Sequence, residues 1–365
     1  MNVSKPAAYG VGLLAAVALM AGCSSGSQPA LAPGSVTNAA RLGADPLHLR
    51  GGLDAFAAVH PYGPLHRDRR KSWIAPDTKR RPRLMFASDS EHGDVYVYSL
   101  PDMKLKGTLT GFYEPQGLCS DTRGSVYVAN TLGTQVLKFA RNGKLLHSYT
   151  DSYGYPIGCA FDPATGDLAV TNAFGFSGAG QVLIFPGTGL PKVLTNPSQY
   201  SYYFAGYGPG GDNLWVSGRD ASGNFMLSQC NYSTCSTVNL TGGTVYFPGT
   251  VQWDKSSGSW VVFDQLCNDT AMTCSYPVSA SGALGTPTVY QNYQGGNVCD
   301  MVQGEIAANH GKYVVGGDYA YCNTLPKTND RWTYAPTANP TAYVTLPSYS
   351  DPVGATVSTK CDYYC

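Results

Sequence analysis

Two stretches of the chain repeat one pattern, and this repetition restricts the folds that the chain can adopt. Residues 114–130 read EPQGLCSDTRGSVYVAN, and residues 155–172 read YPIGCAFDPATGDLAVTN. Each contains Pro-x-Gly, then an Asp, a turn with Gly, an alternating apolar run and an Asn. Short alternating runs between turn residues are typical of β-strands, and self-similarity at a fixed spacing is typical of repeat architectures. The pattern therefore predicts a repeated unit of short β-strands.

The same unit runs from residue 83 to residue 360. Further copies contain the alternating runs NLWVSG at 213–218 and KYVVGG at 312–317. The final fragment, DPVGATVS at 351–358, opens a unit without completing it, whereas the first unit lacks an opening strand. Joined together, the two fragments complete one blade, which is how a β-propeller closes without leaving a sheet edge exposed.

We therefore predict an all-β fold, a six-bladed β-propeller of four-stranded antiparallel blades closed by pairing of the C-terminal strand into the first blade. Six units over this range have about 46 residues each, close to known blade repeats; five or seven blades are the alternatives. The composition agrees, with 43 Gly, 24 Pro and only 13% charged residues. The formal net charge is zero, so we expect no field-driven binding of nucleic acid.

The N-terminus has the pattern of an export signal. Lys5 precedes the apolar stretch AAYGVGLLAAVALMAG, which is short and rich in small residues, as in secretory signals. The sequence LMAGC at 19–23 is similar to a bacterial lipobox, in which the cysteine is acylated, and Ser24 is similar to the residue after the cysteine in outer-membrane lipoproteins. An ordinary secretory signal is the alternative. We predict a signal peptide over 1–22 and a lipid on Cys23 that anchors the protein in the cell envelope, at the outer membrane.

Export to an oxidising compartment predicts disulfides. Once Cys23 is set aside, an even ten of the 11 cysteines remain. Their spacing does not match zinc-ligand motifs. Spacing alone does not establish connectivity, but it suggests the pairs Cys230–Cys235, Cys267–Cys274, Cys299–Cys322, Cys361–Cys365 and, between neighbouring repeats, Cys119–Cys159.

Residues 23–82 separate the expected lipid from the propeller domain, predicted over 83–365. They begin with Ser, Gly, Ala and Pro and later carry the basic stretches HRDRRK at 66–71 and KRRPR at 79–83. This composition favours a solvated tether; a patch for anionic lipid headgroups is the alternative. Trp73 and Ile74 are candidates for a contact that latches the tether onto the domain.

The repeated units resemble NHL-repeat propellers, and the chain as a whole resembles bacterial NHL-like lipoproteins. The resemblance rests on EPQGLCSD…VYVANT…VLKF and YPIGCAFD…LAVTN…VLIF and covers residues 83–360. It implies the fold more strongly than any activity, because propellers host enzymes and binding surfaces alike. The architecture also resembles six-bladed lactonases, which hold a metal in the channel with Glu and several Asn or Asp; this chain has only Glu91, Glu114 and Glu305.

Polar residues recur just after the second strand of each unit, where we expect them to ring the mouth of the central channel. Carboxylate and amide oxygens are ligands that Ca²⁺ prefers, so the ring is a candidate site for Ca²⁺ or a polar ligand. The alternative is that these residues are turn formers bonded to their own backbone. The candidates are Asp89, Asn130, Asn172, Arg219, Asp264 and Asp318.

Tyr202 and Tyr203, in YSYYF at 200–204, are the candidates for an open aromatic platform. No complete catalytic set is present in the sequence, so an enzyme is not the favoured interpretation. We predict a monomeric binding module for an envelope protein, peptide or glycan, with the membrane as a further partner through the lipid. A metal-dependent hydrolase or lactonase that uses the channel ring is the alternative.

Overall fold

The computed structural model describes residues 71–211, 213–270, 272–307, 313–319, 325–334 and 339–359. In this part of the chain, six antiparallel sheets form the blades of a closed propeller, which confirms the predicted fold. Helical structure among the described residues is limited to the 3-10 segments Pro76–Arg80, Thr131–Gly133 and Cys267–Asp269. No helix in these ranges is long and apolar enough to cross a bilayer.

The strands follow the chain from blade to blade. Blade one contains β1 (Trp73–Ile74), β2 (Arg83–Asp89), β3 (Asp94–Ser99), β4 (Lys104–Thr110) and the C-terminal β25 (Pro352–Thr359). Blade two contains β5 (Pro115–Ser120), β6 (Val126–Asn130), β7 (Gln135–Phe139) and β8 (Leu145–Thr150). Blade three contains β9 (Gly154–Phe161), β10 (Leu168–Gly175), β11 (Gly178–Phe185) and β12 (Lys192–Leu194). Blade four contains β13 (Ser201–Tyr207), β14 (Leu214–Arg219), β15 (Phe225–Cys230) and β16 (Cys235–Thr237). Blade five contains β17 (Pro248–Asp254), β18 (Ser259–Asp264), β19 (Cys274–Val278) and β20 (Thr288–Val289). Blade six contains β21 (Glu305–Ala307), β22 (Tyr313–Asp318), β23 (Thr328–Thr333) and β24 (Ala342–Thr345).

Blade one closes the ring as the sequence predicts. β25 pairs antiparallel with β2, so that Arg83 lies opposite Thr359 and Asp89 lies opposite Pro352. On the outer edge, β1 pairs with β4 and adds a fifth strand to this sheet. The expected latch at β1 is confirmed, and the sheet begins there, before the predicted domain boundary at residue 83.

Alternation along each strand explains why the blades are stable only as a ring. In β3, Val95 and Val97 pack towards blade two, in a cluster with Leu118. The intervening Tyr96 and Tyr98 pack on the opposite face, in a cluster with residues of blade six. All six residues of β3 are buried. Both faces of a blade are therefore apolar and are removed from water only by the two neighbouring blades.

The Gly of the Pro-x-Gly pattern has a packing role. The innermost strands of adjacent blades approach closely around the axis, and a Cβ built at Gly117 would lie 2.5 Å from the carbonyl oxygen of Ile157. At Gly158 the corresponding distance to the carbonyl oxygen of Tyr203 is 2.4 Å. Real Cβ atoms do not approach a carbonyl this closely, so these positions of the repeat require glycine.

The innermost strands β25, β5, β9, β13, β17 and β21 define two ends of the molecule. We call the face where these strands begin the front face and the face where they end the rear face. Because the sheets are antiparallel, the second strand of each blade ends at the front face, and Asn130 at the end of β6 lies opposite Pro115 at the start of β5.

Three of the predicted disulfides are confirmed. Cys119–Cys159 joins β5 of blade two to β9 of the adjacent blade three, with a Cα–Cα distance of 5.7 Å. Cys230–Cys235 and Cys267–Cys274 are local staples. Cys299 is also disulfide-bonded. The remaining predicted partners, Cys322, Cys361 and Cys365, lie outside the described residues, as do the signal peptide, Cys23 and the tether up to residue 70.

Candidate functional site

The residues predicted to ring the channel lie at equivalent places in the six blades, at the front face. Five of them are buried, with side chains no more than 2% exposed: Asp89, Asn130, Asn172, Asp264 and Asp318. The sixth, Arg219, is partly buried. Four of them, Asp89, Asn130, Asp264 and Asp318, accept hydrogen bonds from backbone N–H groups that explain why a polar residue recurs here.

Asp264 shows the contacts most clearly. Its Oδ1 accepts hydrogen bonds from the N–H groups of Phe247 at 3.0 Å and Leu266 at 2.9 Å, and its Oδ2 accepts one from Tyr246 N–H at 3.0 Å. Tyr246 and Phe247 are the last residues before β17. The carboxylate therefore fastens the segment that enters the innermost strand to the end of the second strand of the same blade.

Other blades repeat this contact. Asn130 Oδ1 accepts from Tyr113 N–H at 2.6 Å, just before β5, and Asp318 Oδ1 accepts from Cys299 N–H at 3.3 Å, before β21. Asp89 Oδ1 accepts from Asp351 N–H at 2.9 Å, next to the first residue of β25. We refer to this contact as the front-face staple.

Asp89 has an additional partner in His92, whose Nδ1 lies 2.9 Å from Asp89 Oδ2. Burial disfavours the ionised carboxylate, but the hydrogen bonds from His92 and from the Asp351 N–H outweigh burial and lower the pKa of Asp89. The hydrogen bond to Asp89 raises the pKa of the His92 imidazole. Both shifts favour the ionised forms of the pair.

Apolar side chains fill the axis between the staples, where an open channel mouth was expected. We call this cluster the front plug; its buried members are Ile157, Ala173, Tyr203, Phe204, Phe247, Leu266, Val302 and Val353. The Arg219 guanidinium carbon lies 3.8 Å from the centre of the Phe247 ring, so this candidate contacts the plug by a cation–π interaction.

Among the described residues, no group of three or more His, Cys, Asp or Glu is placed to hold a metal ion. Calcium binding by the ring stays a prediction. It would require the staple carboxylates to exchange backbone N–H donors for the cation.

Tyr202 and Tyr203 do not form the open aromatic platform that we expected. Both are buried, because β13 is an innermost strand that packs between the innermost strands of blades three and five. The Tyr202 hydroxyl accepts a hydrogen bond from Asn196 N–H at 2.6 Å. Tyr203 belongs to the front plug, 6.1 Å from the Phe247 ring centre.

Exposed aromatic side chains nevertheless gather on the front face. They lie in the segments that precede the innermost strands or, for Phe176, in the turn between β10 and β11. The exposed side chains are Tyr113, Tyr153, Phe176, Tyr200, Tyr246 and Tyr349. Five of the six blades contribute. We call these six residues the front aromatic surface.

This surface is continuous with the plug beneath it. The Phe176 ring packs edge-on against Tyr155 at 5.1 Å, and the Tyr200 ring packs against Phe174 at 6.2 Å between centres. Tyr155 and Phe174 in turn pack against the plug. The exposed rings of Phe176 and Tyr200 are therefore supported from below.

Sequence reasoning missed the front aromatic surface, although the sequence contains a signal for it. Tyr113 and Tyr246 stand two residues before the first Pro of an innermost strand, and Tyr153 and Tyr349 stand three residues before it. A Tyr at this position of the repeat is held at the front face by the same geometry that forms the staples.

Carboxyl groups accompany the aromatic rings on the front face. Burial, with smaller contributions from the charges of Asp351 and Glu91, raises the pKa of Glu114 to about 8. These groups come from blades one and two and form an acidic sector of the front face, which Lys327 partly neutralises through an ion pair with Asp351 at 2.6 Å.

The rear half of the axis is hollow. A cavity of about 540 Å³ is lined by the C-terminal parts of all six innermost strands. None of the predicted ring residues lines it. The open space on the propeller axis is therefore this rear cavity, at the end of the channel opposite to the predicted site.

Comparison with known proteins supports the architecture and identifies relatives. No family model matches the chain. NHL-repeat-containing protein 4 from Mus musculus is 36% identical over 105 residues, which cover 28% of this chain and 74% of that protein. The Homo sapiens protein of the same name is 33% identical over 106 residues, covering 28% of this chain and 81% of that protein.

Solved structures share the fold at low sequence identity. A structure from the nidogen/laminin complex superposes with a TM-score of 0.58 at 12% identity, covering 76% of this chain and 99% of that chain. A protein of unknown function from Bacteroides caccae superposes with a TM-score of 0.57 at 9% identity, with the same coverage. With its repeats, its six blades and these relatives, the chain belongs to the NHL-repeat-containing proteins.

Proposed function

We propose that this protein is a lipid-anchored binding module of the cell envelope that holds a segment of a partner protein against its front aromatic surface. The observation that carries the proposal is the gathering of exposed aromatic side chains from five blades on one face. Its NHL-type propeller supports an interaction or binding role at the general level. The lipid on Cys23 and the protein partner are the specific parts of the proposal.

The chemistry of the surface favours a protein segment. Tyr side chains offer a large contact area with a polar hydroxyl and lose little conformational entropy on binding. Here Tyr200 and Phe176 are also supported by residues that pack on the front plug, so these two rings need little reorganisation before contact. Preorganised aromatic residues that are surrounded by hydrogen-bonding groups are the usual binding hot spots of protein interfaces.

The acidic sector suggests the character of the bound segment. The charges of Asp351 and Glu91 add to the cost of ionising Glu114, and a basic side chain placed there would relieve that cost. The structure from the nidogen/laminin complex belongs to a protein of the same fold in a protein–protein assembly. This supports a protein as the first partner to test, ahead of a glycan.

The test uses a phage-displayed library of random linear peptides panned against the exported chain carrying Cys23→Ser, which removes the expected acylation site. We expect selected peptides to be enriched in basic and apolar residues. The triple variant Tyr113→Ser, Tyr200→Ser, Tyr349→Ser should weaken their binding at least about tenfold, since loss of aromatic hot spots costs more than about 1 kcal/mol each.

The matched control is Leu190→Ser. Leu190 is 89% exposed in the turn between β11 and β12, at the rear face. The Leu190→Ser substitution removes a large exposed apolar side chain and leaves the front face unchanged, so peptide binding should not change. Equal loss in both variants, or no loss in the triple variant, would contradict the proposal.

A further inference from the structure

The rear cavity differs from the front face in being hollow, polar and closed at one end. Its floor is formed by Gln303, whose Oε1 accepts from Leu118 N–H at 2.8 Å and whose Nε2 donates to the Leu118 carbonyl at 2.6 Å. This pair of bonds connects blade six to blade two across the axis. The front plug lies beyond it. Ligands can therefore reach the cavity from the rear, where exposed Thr122, Pro163 and Lys255 line its edge.

Glu305, in β21, is the carboxyl group in the wall of this cavity. Its Oε2 accepts from Thr356 Oγ1 at 2.6 Å and from Val357 N–H at 3.1 Å, both in β25. These bonds use one carboxyl oxygen and fix the orientation of the group. Oε1 has no hydrogen-bond partner among the described residues and is not sealed from solvent, so it is the oxygen available to the cavity.

Within the ranges that the structure describes, no basic side chain pairs with this carboxyl group. Glu305 forms no ion pair with any described residue. Burial raises the pKa of Glu305 to about 7, against the two hydrogen bonds that favour the charged form. A positively charged ligand group beside Oε1 would compensate this buried charge.

The other charged groups of the cavity are already engaged or lie near its edge. Asp121 is ion-paired with Lys138 at 3.0 Å. Arg83 lies beside the ring of Tyr313, 5.6 Å from its centre. Lys255 is exposed. Glu305 is therefore the ionisable group most suited to receive a donor from inside the cavity.

Aromatic side chains from three consecutive blades complete the wall. Phe161, Tyr207 and Trp253 line the cavity from blades three, four and five. Aromatic faces attract cations and provide apolar contact for a compact organic body. The volume of about 540 Å³ lies within the range of ligand sites in proteins.

We propose that the rear cavity is a binding site for a small organic amine, whose ammonium group bonds Glu305 Oε1 and whose apolar body contacts the Phe161, Tyr207 and Trp253 side chains. The site is separate from the front aromatic surface and does not depend on the proposed protein partner.

Isothermal titration calorimetry with two probes of nearly equal shape tests the proposal on the exported chain carrying Cys23→Ser. Phenethylamine carries the ammonium group, and 2-phenylethanol replaces it with a hydroxyl. At pH 8 we expect the amine to bind at least about tenfold more tightly, the value of a charge-assisted hydrogen bond. Glu305→Gln should abolish this preference, and Lys255→Gln, at the edge of the same cavity, should preserve it.

A pH series on the chain with native Glu305 keeps the test independent of how the variant folds. Phenethylamine stays protonated from pH 8 to pH 5, whereas Glu305 becomes neutral, so its preference over 2-phenylethanol should disappear at pH 5. Equal affinity for the two probes at pH 8, a preference that persists in Glu305→Gln or at pH 5, or the absence of binding by the amine would each overturn the proposal.

Discussion

Replacing Asp264 separates the two interpretations of the front-face ring, because this carboxylate has the most complete set of backbone contacts. It is fully buried and accepts three backbone N–H groups. In Asp264→Asn, one oxygen remains to serve Phe247 and Leu266, but an NH₂ group faces the Tyr246 N–H. Hydrogen bonds to a charged acceptor contribute roughly 1.5–3 kcal/mol each, and a buried donor left unpaired costs a similar amount. We expect a loss of about 2–4 kcal/mol in the free energy of unfolding.

Asp220→Asn is the matched control. Asp220 also accepts backbone N–H groups, from Ser222 at 2.8 Å and Asn224 at 2.9 Å, but on an exposed turn. Water can replace the lost acceptor there, so the cost should stay below about 1 kcal/mol. Guanidinium chloride unfolding under non-reducing conditions, followed by tryptophan fluorescence and circular dichroism, measures both variants.

Repeating both unfolding measurements in EDTA and in excess Ca²⁺ decides between the two interpretations. If the carboxylate only fastens the backbone, the difference between the native chain and Asp264→Asn is the same in EDTA and in excess Ca²⁺. A ligand at about 100 times its dissociation constant would stabilise the native chain by ~2.7 kcal/mol. A Ca²⁺-dependent stabilisation that Asp264→Asn abolishes would refute the staple reasoning and assign the ring to metal binding.

Three further predictions concern other parts of the molecule. Glu305 has a pKa raised to about 7 in the folded protein from 4.5, so its contribution to stability is complete below pH 4.5 and is lost as the pH rises through 7, by at most about 3 kcal/mol; Glu305→Gln should flatten the stability profile over this window. Gly158→Ala places a Cβ 2.4 Å from the Tyr203 carbonyl oxygen and should cost roughly 1–3 kcal/mol or more in denaturant unfolding, whereas Gly187→Ala, with no atom within 4 Å of its Cβ, should cost less than 1 kcal/mol or so. Cys23→Ser should prevent incorporation of an alkyne-tagged fatty acid and release the protein from the membrane fraction; unchanged labelling would exclude Cys23 as the acylated residue.

The positions along the chain at which blades begin could be predicted, because they depend on residues that are close in sequence. In β5 and β25 Pro stands at the first position and Gly two residues later, where adjacent strands meet, and β9 contains the same Pro-x-Gly pattern. DPVGATVS at 351–358 was therefore identifiable as an innermost strand without its own blade. Local disulfides such as Cys230–Cys235 were predictable for the same reason, since hairpin neighbours in sequence are also neighbours in space.

The open end of the channel could not be predicted, because it depends on side chains that are distant in sequence. Phe247 and Val353 meet on the axis only after the ring has closed, and Glu305 finds its partner Thr356 in the strand contributed by the C-terminal part of the chain. Tyr202 and Tyr203 were misplaced for a related reason. A shift of one or two residues in where the innermost strand begins decides whether an aromatic run lies in the loop or in the strand. Here Tyr200 lies in the loop, whereas Tyr202 and Tyr203 lie in β13.

The plug also determines how the two ends of the channel can influence one another. Apolar side chains from five blades occupy the front half of the axis, and the Gln303 amide closes the floor of the cavity behind them. No residue belongs to both the front aromatic surface and the cavity wall. Packed interiors respond to small changes only where two arrangements of similar energy exist. The plug side chains are buried, and both polar atoms of the Gln303 amide are bonded to Leu118, so we expect a single arrangement. Effects at the two sites should therefore be additive: Tyr200→Ser should leave amine binding unchanged, and Glu305→Gln should leave peptide binding unchanged, within the roughly 0.5 kcal/mol expected of independent sites. A larger coupling energy in this double-mutant cycle would show that the plug transmits a change along the axis.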